Sequence, residues 1–505
     1  MLRANFRDNI MYDQRIRSAA LRQKIVSSEE AASLIQNGMT IGMSGFTRAG
    51  DAKCVPLAMV KRAEQDPFKI TLLTGASLGH DIDGLLCNAG ITARRMPFQV
   101  DSTLRHAINR GEVMFIDQHL SETVEQLRAG QLAPVDIAVV EAVAIREDGG
   151  IIPTTSVGNS ASFVEQAKKV IVEINMTCNP ALEGLHDIYI PQLIPGRTQI
   201  PIVKPEDRIG TNYIKVDPAK IAAIVISNLP DSPSNILPAD TETAAIANHL
   251  IEFFIHEMKK GRYTQSLRPL QAGIGTIANA VLSGFLQSPF EDLKMYSEVL
   301  QDSTFDLMDS GKLVFASASS ITLSQACGQR VFDNIEKYKD RLILRPQEIS
   351  NMPGVIRRLG LIAINTALEF DIYGNVNSTH VNGTHMMNGI GGSGDFARNA
   401  SLSIFVTKSL AKGGKISSVV PMVTHIDHTE HDVDILVTDQ GLADLRGLAP
   451  RERAATIIKN CIAPSYRDKM QDYFDRAVKR GGHTPHMLEE AFSWHTKMQQ
   501  EGSML

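Results

Sequence analysis

The chain has 505 residues, enough at roughly 150 per domain for two to four domains with cores of their own. Apolar residues make up 43% and charged residues 21%, and 51 Lys and Arg against 56 Asp and Glu leave a formal charge of −5. That balance excludes a strongly basic nucleic-acid tract or an acidic tail as the main theme, so no nucleic-acid partner is expected.

Arg3, Arg7, Arg15, Arg17, Arg22 and Lys24 crowd the first residues, together with Asp8 and Asp13 and without an apolar signal core. Secretion is therefore not expected; an ordinary N-terminal helix is the reading, with an Arg-rich mitochondrial presequence as its alternative. Ala31–Ile35 reads as a helix closed at Gly38 and feeding a strand over Met39–Met43, which stops at Ser44-Gly45-Phe46-Thr47. Ile70–Leu73 enters Thr74-Gly75-Ala76-Ser77 in the same way. Ile137–Val140 leads into Glu141, and Val170–Glu173 is closed by Asn175. These runs are rich in Val and Ile at consecutive positions, as parallel strands covered on both faces are. Polar residues and glycines at strand ends are where open α/β sheets bind ligands.

Leu229–Pro238 has turn formers and no periodicity, which makes it the linker and places a boundary between 1–229 and 230–505. Thr241–Lys259 then reads as an amphipathic helix with Ala244, Ala247, Ile251, Phe254 and Ile255 on its apolar face. Leu313–Ala316, Leu361–Ile364, Ile416–Val420 and Ile435–Val437 read as strands. Glu452–Ile458 and Tyr466–Val478 read as helices, the second turning Met470, Phe474 and Ala477 to one side. No repeat of solenoid length is present. Two large α/β halves are the economical fold. Five dispersed cysteines (Cys54, Cys87, Cys178, Cys327, Cys461) form no CxxC pair, which argues against a disulfide framework or zinc knuckle and fits a reducing, cytoplasmic setting. No run approaches the ~18 apolar residues of a membrane span, and no membrane partner is expected.

Four segments carry chemistry. In Gln271–Val281, Gly273 and Gly275 lead into a helix at Thr276-Ile277, a turn whose open amides and helix start suit a phosphate. A nicotinamide dinucleotide and a plain structural turn are the other readings, since the third glycine of the dinucleotide fingerprint is Ala278 here. Met387–Phe396 holds Gly389, Gly391, Gly392 and Gly394, a loop able to aim several amides at one oxygen. Lys294–Asp302 reads as a strand with Glu298 inside it. That carboxylate is a nucleophile, a proton acceptor, or a solvent-facing residue. Asn351, before Pro353, either holds that turn or offers a donor to a substrate. His425-Ile426-Asp427-His428-Thr429-Glu430-His431 imitates a metal site, but its i, i+3, i+6 spacing keeps no single face, and bonding to loop backbone is the favoured reading.

Together these segments resemble the class I coenzyme A transferases of the acetyl-CoA hydrolase/transferase group, in particular its bacterial succinyl-CoA:acetate and propionyl-CoA:succinate members. The resemblance runs from about residue 15 to the end, strongest over Ser44–Gly50, Thr74–Ser77, Ser156–Asn159, Gln271–Val281, Tyr296–Asp302, Leu344–Leu359, Asp371–Arg398, Gly413–His428 and Val437–Leu448. It implies two similar open α/β domains with the active site between them, in a homodimer. By the same resemblance Glu298 is the nucleophile, and Asn351 and the Gly392 amide polarise the reacting carbonyl. Gly273, Ile274, Gly275, Thr276 and Ile277 form a coenzyme A-binding loop, and Asn388, Gly392 and Lys412 are further coenzyme A contacts. Coenzyme A and acyl-CoA are then substrates, with no metal and no permanently bound cofactor. Ser44–Ala49 and Thr74–Ser77 fall on the acyl side. The implied reaction exchanges coenzyme A between small carboxylates, with succinyl-CoA and acetate as the lead pair. Propionyl-CoA:succinate transfer, acetyl-CoA hydrolysis and a silent coenzyme A-binding protein are the alternatives. One position departs from the pattern: where relatives carry glutamate in Thr-Glu-Gln-Gly, this sequence has Thr438-Asp439-Gln440-Gly441. Residues 1–14 have no counterpart.

Overall fold

A computed structural model describes residues 10–505. Arg3, Arg7 and Asp8, on which the reading of the N-terminal stretch rests, lie outside the described residues. The chain forms two compact units. Unit 1 takes residues up to Asn235, then Ser297–Asp302 and Phe315–Val355; unit 2 takes Ile236–Tyr296, Ser303–Val314 and Ile356–Leu505. The chain thus first passes between units at 235/236, near the proposed 229/230 division, and unit 1 afterwards takes back two later segments, which contain Glu298 and Asn351.

Unit 1 is built on a seven-stranded, wholly parallel sheet: β1 (Thr40–Met43), β2 (Ile70–Leu73), β3 (Thr92–Met96), β4 (Met114–Phe115), β5 (Ile137–Ala142), β6 (Lys169–Asn175) and β7 (Ile221–Ser227), in the order β4-β3-β2-β1-β5-β6-β7. The four strand runs expected from the sequence are β1, β2, β5 and β6. All of β5 is buried, as the unbroken apolar run requires. β3 carried no such run, because Arg94 and Arg95 interrupt it. Arg95 is fully buried yet satisfied: its guanidinium meets Asp83 at 2.8 Å and donates to the carbonyls of Met96 and Ala76 at 2.7 and 3.0 Å. The first helix of the sheet layer is Ser28–Ser33, earlier than the expected Ala31–Ile35. Ser27 and Glu30 form a capping box that starts it there. Ala31, Ile35, Val55 and Met59 pack with Ile41, Ile70 and Val139 in the core.

Unit 2 holds the strands β8 (Leu270–Ala272), β9 (Leu293–Tyr296), β10 (Ile362–Thr366), β11 (Leu402–Val406), β12 (Ile435–Thr438) and β13 (Gly441–Asp444), which are neighbours in the order β9-β8-β10-β11-β12-β13 within an eight-stranded sheet. Only β13 runs antiparallel. The helix over Thr241–Lys259 forms as expected, but its buried face is rotated from the expected one. Ile246, Ala247, Leu250, Phe253, Phe254 and Glu257 are buried, while Ala244 is exposed and Ile251 and Ile255 are half-buried. The buried stripe contains a charge, Glu257, that a search for apolar periodicity rejects. Arg262 and Arg446 answer it, each at 3.0 Å. The expected strand over Ile416–Val420 is two pieces with different partners: Ile416–Ser417 pairs with Leu410–Ala411, and Val419–Val420 with Phe370–Asp371. The helix over Pro464–Arg480 buries Met470, Phe474 and Ala477 as the pattern requires.

Candidate active site

Glu298 does not lie within a strand, as the sequence reading had it. The extended run breaks at Ser297 and Glu298, and pairing resumes only at Val299–Leu300, parallel to Ser320–Ile321. The cause is local: the Glu298 carbonyl accepts both Ser319 N–H at 2.8 Å and Ser320 N–H at 3.0 Å, so it cannot serve a regular ladder. The break leaves the carboxylate half-buried. Asn351 is fully buried at the C-cap of the Gln347–Ser350 turn, and its Nδ2 donates to Glu298 Oε1 at 2.8 Å. The two residues that the sequence singled out separately therefore meet.

That turn is fixed from several sides within unit 1. Gln347 donates from its backbone to Gly158 O at 2.9 Å and from Nε2 to Leu120 O at 3.0 Å. Glu348 is buried against Arg128 and accepts Ser162 Oγ at 2.8 Å. The two turns expected on the acyl side sit at the carboxyl ends of β1 and β2 and are bound together: Gly75 and Ala76 N–H both donate to Gly45 O at 3.2 Å. Ser320 Oγ holds Phe46 O at 2.8 Å and Thr322 Oγ1 holds Thr47 O at 2.7 Å. Gly50 has φ of +63°, and a Cβ there would lie 2.4 Å from Ser156 Oγ, so this corner admits only glycine.

Beneath the β1 turn lies a charge cluster that the sequence reading did not anticipate. Fully buried Lys53 Nζ contacts Glu141 at 2.5 Å and Asp231 at 2.9 Å. Asn175 and Thr154 also donate to Glu141, at 2.9 and 2.8 Å. Glu173 receives the amides of Lys53, Cys54 and Val55 at 2.8, 3.0 and 2.7 Å, capping the helix over Cys54–Ala63. Glu141 and Glu173 stood in the sequence as charges inside apolar strands, which was the available signal. Burial opposes the charge on Lys53, but Asp231, Glu141 and Asp51 hold its pKa well above the ordinary value. Asp51 is fully buried, and neither of its carboxylate oxygens has a hydrogen-bond partner among the described residues. Burial pushes its pKa up to about 6. A carboxyl raised in this way favours the native state fully below its ordinary pKa near 3.8, and that contribution is lost as pH rises through about 6. Asp51→Asn should therefore gain in melting temperature relative to the native protein as pH rises from 5 to 8. Thermal unfolding across that range is the measurement, and a pH-independent difference would refute the assignment.

In unit 2 the candidate residues lie beyond the carboxyl ends of parallel strands. β8 runs into Gly273-Ile274-Gly275, with Gly275 at φ +105° and nothing within 4 Å of a Cβ placed on it, and the helix over Thr276–Gly284 starts there without a side-chain cap. Gly273 N–H bonds to Ile364 O at 2.8 Å, which ties this turn to β10. Gly392 is buried at the N-cap of the helix over Ser393–Asn399, again without a side-chain cap. Half-buried Asn388 keeps its Oδ1 enclosed and without a hydrogen-bond partner among the described residues. Lys412 is exposed, at φ +48°, beyond β11. Asp439, the departure from the family pattern, reaches the loop before Lys412: it accepts Ser409 N–H at 2.6 Å and Ser409 Oγ at 3.0 Å. Asp439→Ala should free this loop and cost stability on the scale of a lost charge-assisted hydrogen bond, about 1–2 kcal/mol. Thermal unfolding is the measurement, and an unchanged melting temperature would show that the loop does not depend on Asp439.

The histidine-rich loop is held by its own surroundings. Asp427 accepts Ser378 N–H at 2.7 Å and Thr379 Oγ1 at 2.9 Å, and His428 Nε2 lies 3.0 Å from Ser393 Oγ. Among the described residues no group of three or more His, Cys, Asp or Glu is placed to hold a metal ion. No helix among them is long and apolar enough to cross a membrane.

Comparison with known proteins places these features in context. Residues 10–226 match the acetyl-CoA hydrolase/transferase N-terminal domain and residues 328–474 the corresponding C-terminal domain. The chain is 50% identical to a succinyl-CoA:acetate CoA-transferase of Clostridium kluyveri, over 97% of this chain and 92% of that protein. It is 46% identical to a propanoyl-CoA:succinate CoA transferase of Escherichia coli, over 95% and 98%. Among solved structures, RipA from Yersinia pestis superposes with a TM-score of 0.71 at 20% identity, covering 93% of this chain and 99% of that one, a likeness of fold alone.

Proposed function

The chain belongs to the acetyl-CoA hydrolase/transferase family, and from that premise we propose that it transfers coenzyme A between an acyl-CoA and a small carboxylate, with succinyl-CoA and acetate as the lead pair. The observation that carries this reading is the pairing of Glu298 with Asn351, a carboxylate set in a strand break with an amide donor 2.8 Å from one of its oxygens.

A Glu298 oxygen attacks the thioester carbonyl, the C–S bond breaks, and coenzyme A leaves as thiolate, giving a mixed anhydride. The thiolate then attacks the glutamyl carbonyl, the bond to the acyl oxygen breaks, and the first acid departs as carboxylate. The incoming carboxylate attacks the glutamyl thioester, whose C–S bond breaks to release the thiolate and leave a second anhydride; the thiolate then attacks the new acyl carbon, and the bond from that carbon to the glutamate oxygen breaks, which restores Glu298. No proton is consumed overall. Each addition builds charge on an oxygen, for which Asn351 Nδ2 and the Gly392 amide are the donors. The Gly273–Ile277 turn, Asn388 and Lys412 bind coenzyme A, whose remote contacts orient a small acyl group that could not orient itself. Covalent capture by Glu298 conserves thioester energy that water would otherwise dissipate.

The experiment is acetyl-CoA with and without succinate, following succinyl-CoA and free coenzyme A together. Succinyl-CoA forming in step with acetyl-CoA loss is the expected result. Rapid coenzyme A release that needs no acceptor, with little succinyl-CoA, would make the protein a hydrolase instead.

A further inference from the structure

Arg48 is anomalous on two independent counts. Its backbone has φ of +67°, directly after Thr47 at +54°, a conformation in which a side chain other than glycine is strained. Its half-buried guanidinium makes no hydrogen bond or ion pair among the described residues, and its Nε is enclosed without a partner. A guanidinium nitrogen enclosed without a partner adds a desolvation cost to the backbone strain beneath it. Glycine at this position would carry neither cost.

The side chain borders a half-enclosed cavity of about 700 Å³ within unit 1. Two carboxylates share that wall, Asp231 and Asp333, and neither pairs with Arg48. Asp231 is already satisfied by Lys53 Nζ at 2.9 Å, Gly50 N–H at 3.1 Å and Thr155 Oγ1. The hydroxyls nearby are committed too: Thr322 Oγ1 donates to Thr47 O at 2.7 Å and Ser324 Oγ to Asp302. The guanidinium is thus the wall's uncommitted charged donor. Its fork matches a planar carboxylate in two parallel bonds. The turn that carries it is also joined to the segment that carries Glu298: Phe46 O is held by Ser320, whose amide is bonded to the Glu298 carbonyl.

We propose that Arg48 is a specificity-determining residue that binds the non-reacting carboxylate of a dicarboxylic substrate such as succinate. The inference rests on the transferase reading for its reaction, but not for its binding. A carboxylate held by Arg48 could also be a free acid bound apart from the reaction, and the experiment separates the two.

With propionyl-CoA as donor, kcat/KM for succinate as acceptor should fall about 10–100-fold in Arg48→Gly and Arg48→Gln, while the value for acetate stays within about 3-fold. Arg48→Gly should melt no lower than the native protein, because glycine suits φ of +67°. Calorimetric titration of succinate into the full-length protein, without acyl-CoA, should give heat that both variants lose, and acetate should give none that depends on Arg48. An unchanged succinate-to-acetate ratio overturns the proposal, as does an equal loss for both acceptors or succinate binding retained by the variants. Arg48-dependent heat from acetate overturns it as well, since it assigns the cavity to a free acid. If the native protein transfers nothing yet binds succinate through Arg48, the specificity role falls with the transferase reading; an active enzyme with an unchanged succinate-to-acetate ratio overturns the Arg48 proposal alone.

Discussion

Replacing Glu298 with alanine should lower coenzyme A exchange at least about 10³-fold while leaving a folded protein that still binds coenzyme A. Alanine offers no oxygen to carry the acyl group, and Asn351 is a donor at that position, not a nucleophile. The structural consequence is smaller. Asn351 Nδ2 loses one acceptor, a loss of about 1 kcal/mol. Glu298→Gln keeps an acceptor for Asn351 and still lacks the nucleophile, so it should be equally inactive and melt closer to the native protein. Native protein incubated with acyl-CoA alone should retain an adduct that hydroxylamine attacks and borohydride reduces. Peptide mapping of that adduct to another residue, or exchange surviving in either variant, would remove Glu298 from the chemistry.

Much of this was legible from apolar patterning. β5 and β6 are buried on both faces and read as Val- and Ile-rich runs, β1 and β2 as shorter apolar runs, and the helix over Pro464–Arg480 reads cleanly because its buried positions are all apolar or aromatic. Two of the failures share one cause, which is buried charge. Arg95 hid β3, and Glu257 displaced the expected face of the helix over Thr241–Lys259. In each case the partners that make burial tolerable, Asp83 in one and Arg262 and Arg446 in the other, come from residues no local pattern connects. The Lys53 cluster is the extreme example: Glu141 and Asp231 lie 88 and 178 residues from Lys53 in the sequence. Glu298 failed differently. Its neighbours Met295, Tyr296, Val299 and Leu300 are strand-like, and only the capture of its carbonyl by Ser319 and Ser320 breaks the strand there. Family resemblance found the residue; periodicity alone would have left its carboxylate in a regular ladder.

Asn351→Ala should lower turnover by about 10²–10³-fold and change coenzyme A affinity little, because a donor aimed at a reacting oxygen is worth most when charge develops on it. The competing account is that Asn351 merely closes the turn before Pro353. The geometry weighs against that account. The turn is held independently by Gln347 to Gly158 O and Leu120 O, and by Glu348 to Arg128 and Ser162, none of which involves the Asn351 side chain. Alanine at the C-cap should therefore leave the turn in place and lower the melting temperature only slightly. Asn351→Asp sharpens the test: it is nearly isosteric, but it sets a second carboxylate where the amide lies 2.8 Å from Glu298. Like charges that close cannot both ionise comfortably, so one carboxyl titrates upward and the nucleophile is lost over part of the neutral range. Activity of Asn351→Asp should then depend on pH in a way that neither the native protein nor Asn351→Ala shows. Kinetics and thermal unfolding on the same preparations decide the matter. A destabilised Asn351→Ala with near-native turnover per folded molecule, and an Asn351→Asp with the native pH profile, would return this residue to a purely structural role.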